Sequence, residues 1–336
     1  MRSVLSLSLG SFPGASRALI ELAACTGLTH HLTVEPTGGA VRRFALDLLA
    51  GHRVRLLVVG GWSRAYRPFV TAAAAAGIPV AVCWTSSGAQ VEIGRELRRF
   101  EEVLSDRRIQ HRWFLQRSLA DALGPAVPGV AWLPSLSSAA LSASTPQAHP
   151  PRRAANRVAQ VGLFSSPHEY HRKNVLNTLL ALSRVARPVR LHLNGLSAHA
   201  DYKAWLTRLP LRYVDHGWMP AARYRALVRR LDLGLQPSLA ESFNHVAVDH
   251  LLARTPILVS PMVPAIADRP LAVRRPFVVS RPDDAAALTG AIDALLGTAP
   301  RQLADQVEAL RSSFIASQRR ALREAVAVVT RALEPR

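Results

Sequence analysis

Short apolar or alternating runs recur along the chain, separated by stretches whose apolar residues return every three or four positions. The first pattern predicts strands and the second helices. In the first half the expected strands are Val4–Leu9, His30–Val34, Val54–Val59, Val80–Trp84, Ile109–Phe114 and Val130–Leu133. The helices between them are Ala15–Ala24, Val41–Leu49, Arg67–Ala76, Gly94–Leu104 and Ser118–Leu123. Strands alternating with helices in this way build parallel α/β layers. Leu5, Leu7 and Leu9 alternate with serines, so the first residues read as a strand rather than as a signal peptide.

The run Ser137–Pro151 is small and Pro-rich with no period, which marks a linker. The alternation then restarts, with strands at Val158–Phe164, Val189–Leu193, Leu211–Val214, Leu233–Gln236, Ile257–Val259 and Phe277–Val279. Helices are expected at Val175–Ala186, Ala200–Leu206, Ala222–Leu231, Asn244–Ala253 and Ala285–Leu296. Each half reads as a Rossmann-like domain. Gln302–Leu333 carries two apolar groups at helical spacing, Leu303 to Phe314 and Leu322 to Leu333, which predict two amphipathic helices. The expected fold is α/β, with an N-terminal domain over 1–136, a linker over 137–155, a C-terminal domain over 156–300 and C-terminal helices over 301–336. A cleft is expected between the two domains. A length of 336 residues agrees with two cores rather than one.

Composition narrows the function. With 49% apolar and 19% charged residues the chain can bury real cores, which excludes a disordered polymer. The apolar uncharged stretch Pro68–Val91 is interrupted by Gly77 and Pro79, so no transmembrane segment is expected. Cys25 and Cys83 are too few for a disulfide framework or a zinc site, which points to a reducing cytoplasm and no metal. Lys plus Arg number 42 against 23 Asp plus Glu, and the net charge of +19 attracts polyanions. Only Lys173 and Lys203 are lysines.

Ligands of parallel sheets bind beyond the carboxyl ends of the strands. After the first strand, Gly10 and Gly14 flank a turn that lets backbone approach a ligand at a helix N-terminus; a plain turn is the other reading. In the second half, Arg172 and Lys173 stand side by side before a helix. Two cations there oppose the helix dipole unless an anion such as a diphosphate lies between them. Further on, Glu241 and Asp249 flank the start of a helix, about 12 Å apart by helix rise. That span suits a ligand with hydroxyls at both ends and a diphosphate between, such as a sugar nucleotide. The N–H groups of Ser242 to Asn244 can meet phosphate.

The blocks His216-Gly-Trp-Met219, Leu231-Asp-Leu-Gly-Leu-Gln-Pro-Ser238, Glu241-Ser-Phe-Asn244, Asp249 and Pro256–Ser260 resemble the C-terminal half of retaining GT-B glycosyltransferases. The likeness covers Val158–Ser260 in motif and residues 1–135 in layout. It implies that Glu241 contacts the transferred sugar and Asp249 the nucleotide ribose. Lys173 would hold the diphosphate with the amides of Ser242, Phe243 and Asn244. The donor implied is a nucleotide-diphosphate sugar, UDP-linked by preference, with no permanently bound cofactor. Two departures are present. The second acid is Asp249 where the family usually has Glu, and Gly162 is followed by Leu163 and Phe164 in place of the usual Arg, leaving Arg172 as the replacement. No Asp-X-Asp motif occurs, which argues against metal-dependent transfer. Relatives often touch the donor sugar with a histidine or acid of the N-terminal domain; His111 and the Trp84–Gly88 loop are the candidates, with a core or surface histidine as the other reading.

Acceptors of this fold dock mainly on the N-terminal domain. There Trp62, Arg64, Tyr66 and Arg67 alternate aromatic and cationic side chains, as nucleic-acid binders do. Clusters such as Arg223/Arg225/Arg229/Arg230 could line a polyanion path or be solvated helix faces. In compactness and basicity the chain is similar to phage-type DNA glycosyltransferases, which implies a hydroxymethylated base in DNA as acceptor. The alternatives are an envelope glycosyltransferase docking on an anionic membrane, with a lipid- or polysaccharide-linked acceptor, and an inactive transferase-like nucleic-acid-binding protein.

Overall fold

The computed structural model describes residues 4–9, 13–27, 29–34, 39–51, 54–87, 95–143, 158–165 and 171–334. It divides into two units, Met1–Ser142 with Ser317–Arg336, and Ala143–Ala316.

In the first unit β1 (Val4–Leu9), β2 (Thr29–Val34), β3 (Leu56–Gly60), β4 (Val80–Trp84), β5 (His111–Phe114) and β6 (Val130–Trp132) form one parallel sheet, ordered β2-β1-β3-β4-β5-β6. They alternate with α1 (Pro13–Thr26), α2 (Gly39–Ala50), α3 (Arg67–Ala75), α4 (Arg95–Ser105), α5 (Arg117–Leu123) and α6 (Ser138–Leu141). All of β1 is buried, because both sheet faces are covered. Leu5, Leu7 and Leu9 join Leu57, Phe69 and Phe114 in one core, while Val4 packs with Leu19, Leu22 and Val329 in the other. The serines between the leucines are satisfied by one imidazole: Ser6 Oγ lies 3.0 Å from His31 Nδ1 and Ser8 Oγ 3.2 Å from Nε2.

In the second unit β7 (Ala159–Gly162), β8 (Val189–Leu193), β9 (Arg212–Asp215), β10 (Leu233–Gln236) and β11 (Ile257–Val259) form a parallel sheet ordered β11-β10-β7-β8-β9. Its helices are α7 (Val175–Leu182), α8 (Ala200–Arg208), α9 (Ala221–Val228), α10 (His245–Leu252), α11 (Pro264–Ala267), α12 (Leu271–Arg274) and α13 (Ala285–Gly297). The sixth strand expected here, Phe277–Val279, shrinks to one bridge between Val259 and Val278. Pro276, which has no N–H to donate, holds Arg275–Phe277 in a 3-10 turn.

The C-terminal segment is one helix, α14 (Pro300–Leu333), not two. Nothing between Arg301 and Leu333 is Gly or Pro, so no residue breaks it. The interruption in its apolar pattern is Gln318, 3% exposed, whose amide accepts from Ser137 N at 2.8 Å and donates to the Ser135 carbonyl at 3.4 Å. Ser317–Arg336 belongs to the first unit, so residues 301–336 do not stand apart as C-terminal helices. Of the expected linker, Ser138–Leu141 forms α6, capped by Ser137 Oγ; residues 144–157 lie outside the described residues.

From β7 the chain winds outward through β8 and β9, then returns to place β10 on the other side of β7. The carboxyl ends of β7 and β10 thus frame the topological switch point, where open parallel sheets bind ligands.

Candidate functional site

The loops leaving these two strands carry the cluster. Gln236 ends β10, and the loop from Pro237 to Asn244 leads into α10. Asn244 caps that helix: its Oδ1 accepts from Ala247 N at 3.0 Å while its backbone takes φ 71°, a left-handed conformation asparagine tolerates better than most residues. Its Nδ2 donates to Gln236 Oε1 at 3.1 Å and to Glu241 Oε1 at 3.0 Å. Gln236 Nε2 in turn donates to the Phe164 carbonyl at 2.7 Å, tying the β10 loop to the end of β7.

Arg172 and Lys173 reach the same carboxylate from the loop after β7. Arg172 Nη1 donates to Glu241 Oε2 at 2.9 Å and to the Ala240 carbonyl at 2.8 Å, and Lys173 Nζ donates to Glu241 Oε1. The Leu239 N–H closes the contact by donating to the Arg172 carbonyl at 2.7 Å. The side chains of Glu241, Arg172 and Lys173 are 6%, 10% and 11% exposed. Burial works to raise the Glu241 carboxyl, but the Lys173 ammonium and Arg172 guanidinium outweigh it and hold the group below the usual glutamate range. The trio carries two positive charges and one negative, an excess of one cation in a largely dry setting. Among the described residues the N–H groups of Ser242, Phe243 and Asn244 donate to no carbonyl or side chain. Cations and free amides at a helix start form an anion-binding arrangement.

Asp249 lies on α10, about 6 Å of helix rise beyond His245, and is half-buried. Gly10 falls outside the described residues, and Gly14 is the second residue of α1. Of the Trp84–Gly88 loop, Gly88 also falls outside them.

Two expectations are corrected. His111 is the first residue of β5, paired in register with Ala81, and so sits toward the amino end of its sheet, away from the carboxyl-end loops. The Trp62–Arg67 segment is not an aromatic binding surface. Trp62 is 4% exposed and donates its indole N–H to Glu102 at 2.8 Å. Tyr66 is fully buried, donates to the Gly60 carbonyl at 3.1 Å, and both rings belong to the core beneath α3. Arg64 and Arg67 alone face outward, and Arg67 pairs with Glu102 at 3.5 Å.

Gln236 was not singled out from the sequence; a polar residue closing an apolar strand was the available signal. Asp215, which ends β9, was also missed. Its carboxylate accepts from the N–H groups of Gly195, Ser197 and Gly217, fastening the loop after β8 to the loop after β9.

No protein-family model matches the chain, and no curated protein matches it in sequence. Solved structures match it in fold. Anabaena HepE, crystallised with UDP and glucose, aligns with a TM-score of 0.69 at 16% identity over 98% of this chain and 99% of its own. A glycosyltransferase from Rickettsia africae gives 0.65 at 12% identity over 99% of each chain. The lipopolysaccharide outer core galactosyltransferase WaaB gives 0.61 at 11% identity, over 96% of this chain and 99% of its own. At these identities the likeness is one of architecture: two parallel α/β units in the GT-B fold.

Proposed function

We propose that the chain is a retaining glycosyltransferase that moves a sugar from a UDP-sugar to a hydroxyl of a lipid- or polysaccharide-linked envelope acceptor. The observation that carries the reading is the Arg172–Lys173 pair held on Glu241 at the switch point, beside the free amides of Ser242, Phe243 and Asn244. When the donor binds, its diphosphate takes over the two cations and the amides. Glu241, released from them, accepts hydrogen bonds from the sugar hydroxyls, and Asp249 does the same for the ribose. As the glycosidic bond breaks, negative charge grows on the departing diphosphate, and preorganised cations and N–H dipoles stabilise it there. HepE, crystallised with UDP-glucose at 16% identity, supports the choice of donor, and WaaB, by its description, supports the envelope acceptor. The burial of Trp62 and Tyr66 removes the stacking surface on which a DNA acceptor rested.

The test incubates the purified chain with a panel of UDP-sugars and two acceptors, a lipid-linked oligosaccharide extract and hydroxymethylcytosine DNA, read by mass spectrometry. Transfer to the lipid-linked acceptor, lost by at least about a hundredfold in Lys173→Ala, is expected. Transfer to the DNA alone refutes the acceptor, and no turnover of any UDP-sugar refutes the donor.

A further inference from the structure

Arg172 and Lys173 occupy the two central positions of a turn that the Asn174 N–H closes by donating to the His171 carbonyl at 3.0 Å. Adjacent cations repel each other, and Lys and Arg are rarely buried unless an anion pairs with them. Glu241 is that anion in the ligand-free chain. A donor diphosphate that displaces Glu241 removes the ion pairs that hold the two side chains, so a second restraint must keep the turn in place.

Asn174 supplies it. The residue stands between the turn and α7 with φ 55° and ψ 36°, a left-handed conformation that asparagine and glycine adopt more readily than other residues. That residue breaks the backbone run between turn and helix, so Arg172 and Lys173 do not continue the spiral of α7. An asparagine in front of a helix usually caps it with its side-chain oxygen. Asn174 makes no such cap. Its Nδ2 donates instead to the carbonyl of Pro282, 108 positions away, and its Oδ1 accepts from Asn177 Nδ2 at 2.9 Å. Its own carbonyl accepts from Thr178 N at 3.2 Å and from Thr178 Oγ1 at 2.7 Å. The residue is 4% exposed, with each of its polar atoms bonded. Pro282 lies just before Asp284, whose Oδ1 accepts from Ala286 N at 2.8 Å and Ala287 N at 3.2 Å to cap α13. That helix packs along α7, where Thr289 Oγ1 donates to the Ala181 carbonyl at 3.1 Å. The cationic turn is thus pinned to two packed helices.

We propose that Asn174 is the positioning residue of the donor site: through the Pro282 carbonyl it keeps Arg172 and Lys173 aimed at the diphosphate once Glu241 has been displaced, without touching the donor itself. The inference rests on the donor reading above and goes beyond it by naming what holds the cations when their carboxylate has gone. Cations fixed by their backbone need no reorganisation as charge grows on the leaving group, whereas cations free to swing would have to be drawn back.

The test compares Asn174→Gly and Asn174→Asp with the wild-type full chain. Glycine allows the left-handed backbone and removes the anchor; aspartate keeps the shape and sets an acceptor against the Pro282 carbonyl. Both variants should stay folded in scanning fluorimetry. Calorimetric titration should show UDP bound about tenfold more weakly by each, the factor expected for one buried hydrogen bond. Uridine, which has no phosphate, should bind both as it binds the wild type. A side chain that only stabilises the fold would lower the melting temperature and leave the UDP and uridine affinities unchanged; that result overturns the proposal, as does equal loss of UDP and uridine binding. Lys173→Ala is titrated alongside. Wild-type UDP affinity in that variant refutes the donor site and the proposal with it, while a loss there together with wild-type UDP affinity in both Asn174 variants refutes the positioning role alone.

Discussion

Replacing Glu241 by glutamine separates the two jobs the carboxylate performs. The amide keeps the shape and can still accept from Asn244, but it leaves Arg172 and Lys173, about a tenth exposed each, with no anion between them. Removing one member of a buried ion pair costs about 3–5 kcal/mol, and the lower end applies because Arg172 keeps its bond to the Ala240 carbonyl. At about 2–4 °C per kcal/mol for a unit of this size, the ligand-free melting temperature should fall by about 6–12 °C. UDP should reverse much of that fall, since its diphosphate supplies the missing negative charge. On the proposed reading, the diphosphate competes with Glu241 for the two cations in the wild-type protein. In Glu241→Gln it does not, so UDP should bind about tenfold tighter, worth about 1.4 kcal/mol, while sugar transfer falls by about a hundredfold or more. Calorimetric titration with UDP, differential scanning fluorimetry and turnover measured together make the test. An unchanged melting temperature, or weaker UDP binding by the variant, would refute the view that Glu241 holds the phosphate-binding cations in reserve.

Gly234→Ala should destabilise the second unit by about 1–3 kcal/mol in urea titrations, because the new Cβ would lie 2.3 Å from His250 Cδ2 and 2.7 Å from Ile257 Cδ1. Stability should also fall in mild acid. Burial pushes His250 down to about 4, and burial with the neighbouring His216 does the same to His192, so between pH 6.5 and 4 the unfolded chain takes up protons that the folded one does not. Their contribution is intact above pH 6.5 and should shrink at pH 5 by about 2 kcal/mol for His250 and by less for the more solvated His192; a urea midpoint that stays flat from neutral pH to pH 5 would contradict it. Trp62→Phe and Tyr66→Phe should each cost about 1 kcal/mol through a lost buried hydrogen bond and leave the acceptor KM unchanged; a raised KM at normal stability would return this segment to the acceptor site.

The alternation of strands and helices was legible because strands covered on both faces must be apolar: β1, β4, β8, β10 and β11 have the bounds that the hydrophobic pattern predicts. Where polar atoms do structural work the pattern misled. Gln318 looks like a break between two helices, yet its amide serves two backbone groups of the Ser135–Ser137 segment, so α14 runs through it. Trp62 and Tyr66 sit among arginines and read as surface, but Gly61, at φ 71°, and the 3-10 turn Arg64–Tyr66 direct them inward. The signal was present in a longer window. Trp62, Tyr66, Phe69, Val70 and Ala73 repeat at helical spacing as one inward stripe, and Arg64, Arg67 and Thr71 fall on the outer side.

The site was legible in its residue types and not in its wiring. Arg172 and Glu241 lie 69 positions apart, and only the reversal of strand order at β7 and β10 brings their loops together. The missing cation after Gly162 then has a structural reason. Leu163 and Phe164 are 1% and 2% exposed, and Phe164 packs edge-on to Tyr224 with ring centroids 5.3 Å apart and against His250 at 5.8 Å. A guanidinium in place of Phe164 would be buried among these rings, at a desolvation cost. Placed at 172, on the loop rather than the strand, the cation reaches Glu241 and the Ala240 carbonyl with the strand end left apolar. The β7 terminus can therefore serve as core, and both positive charges of the site come from one short stretch of chain.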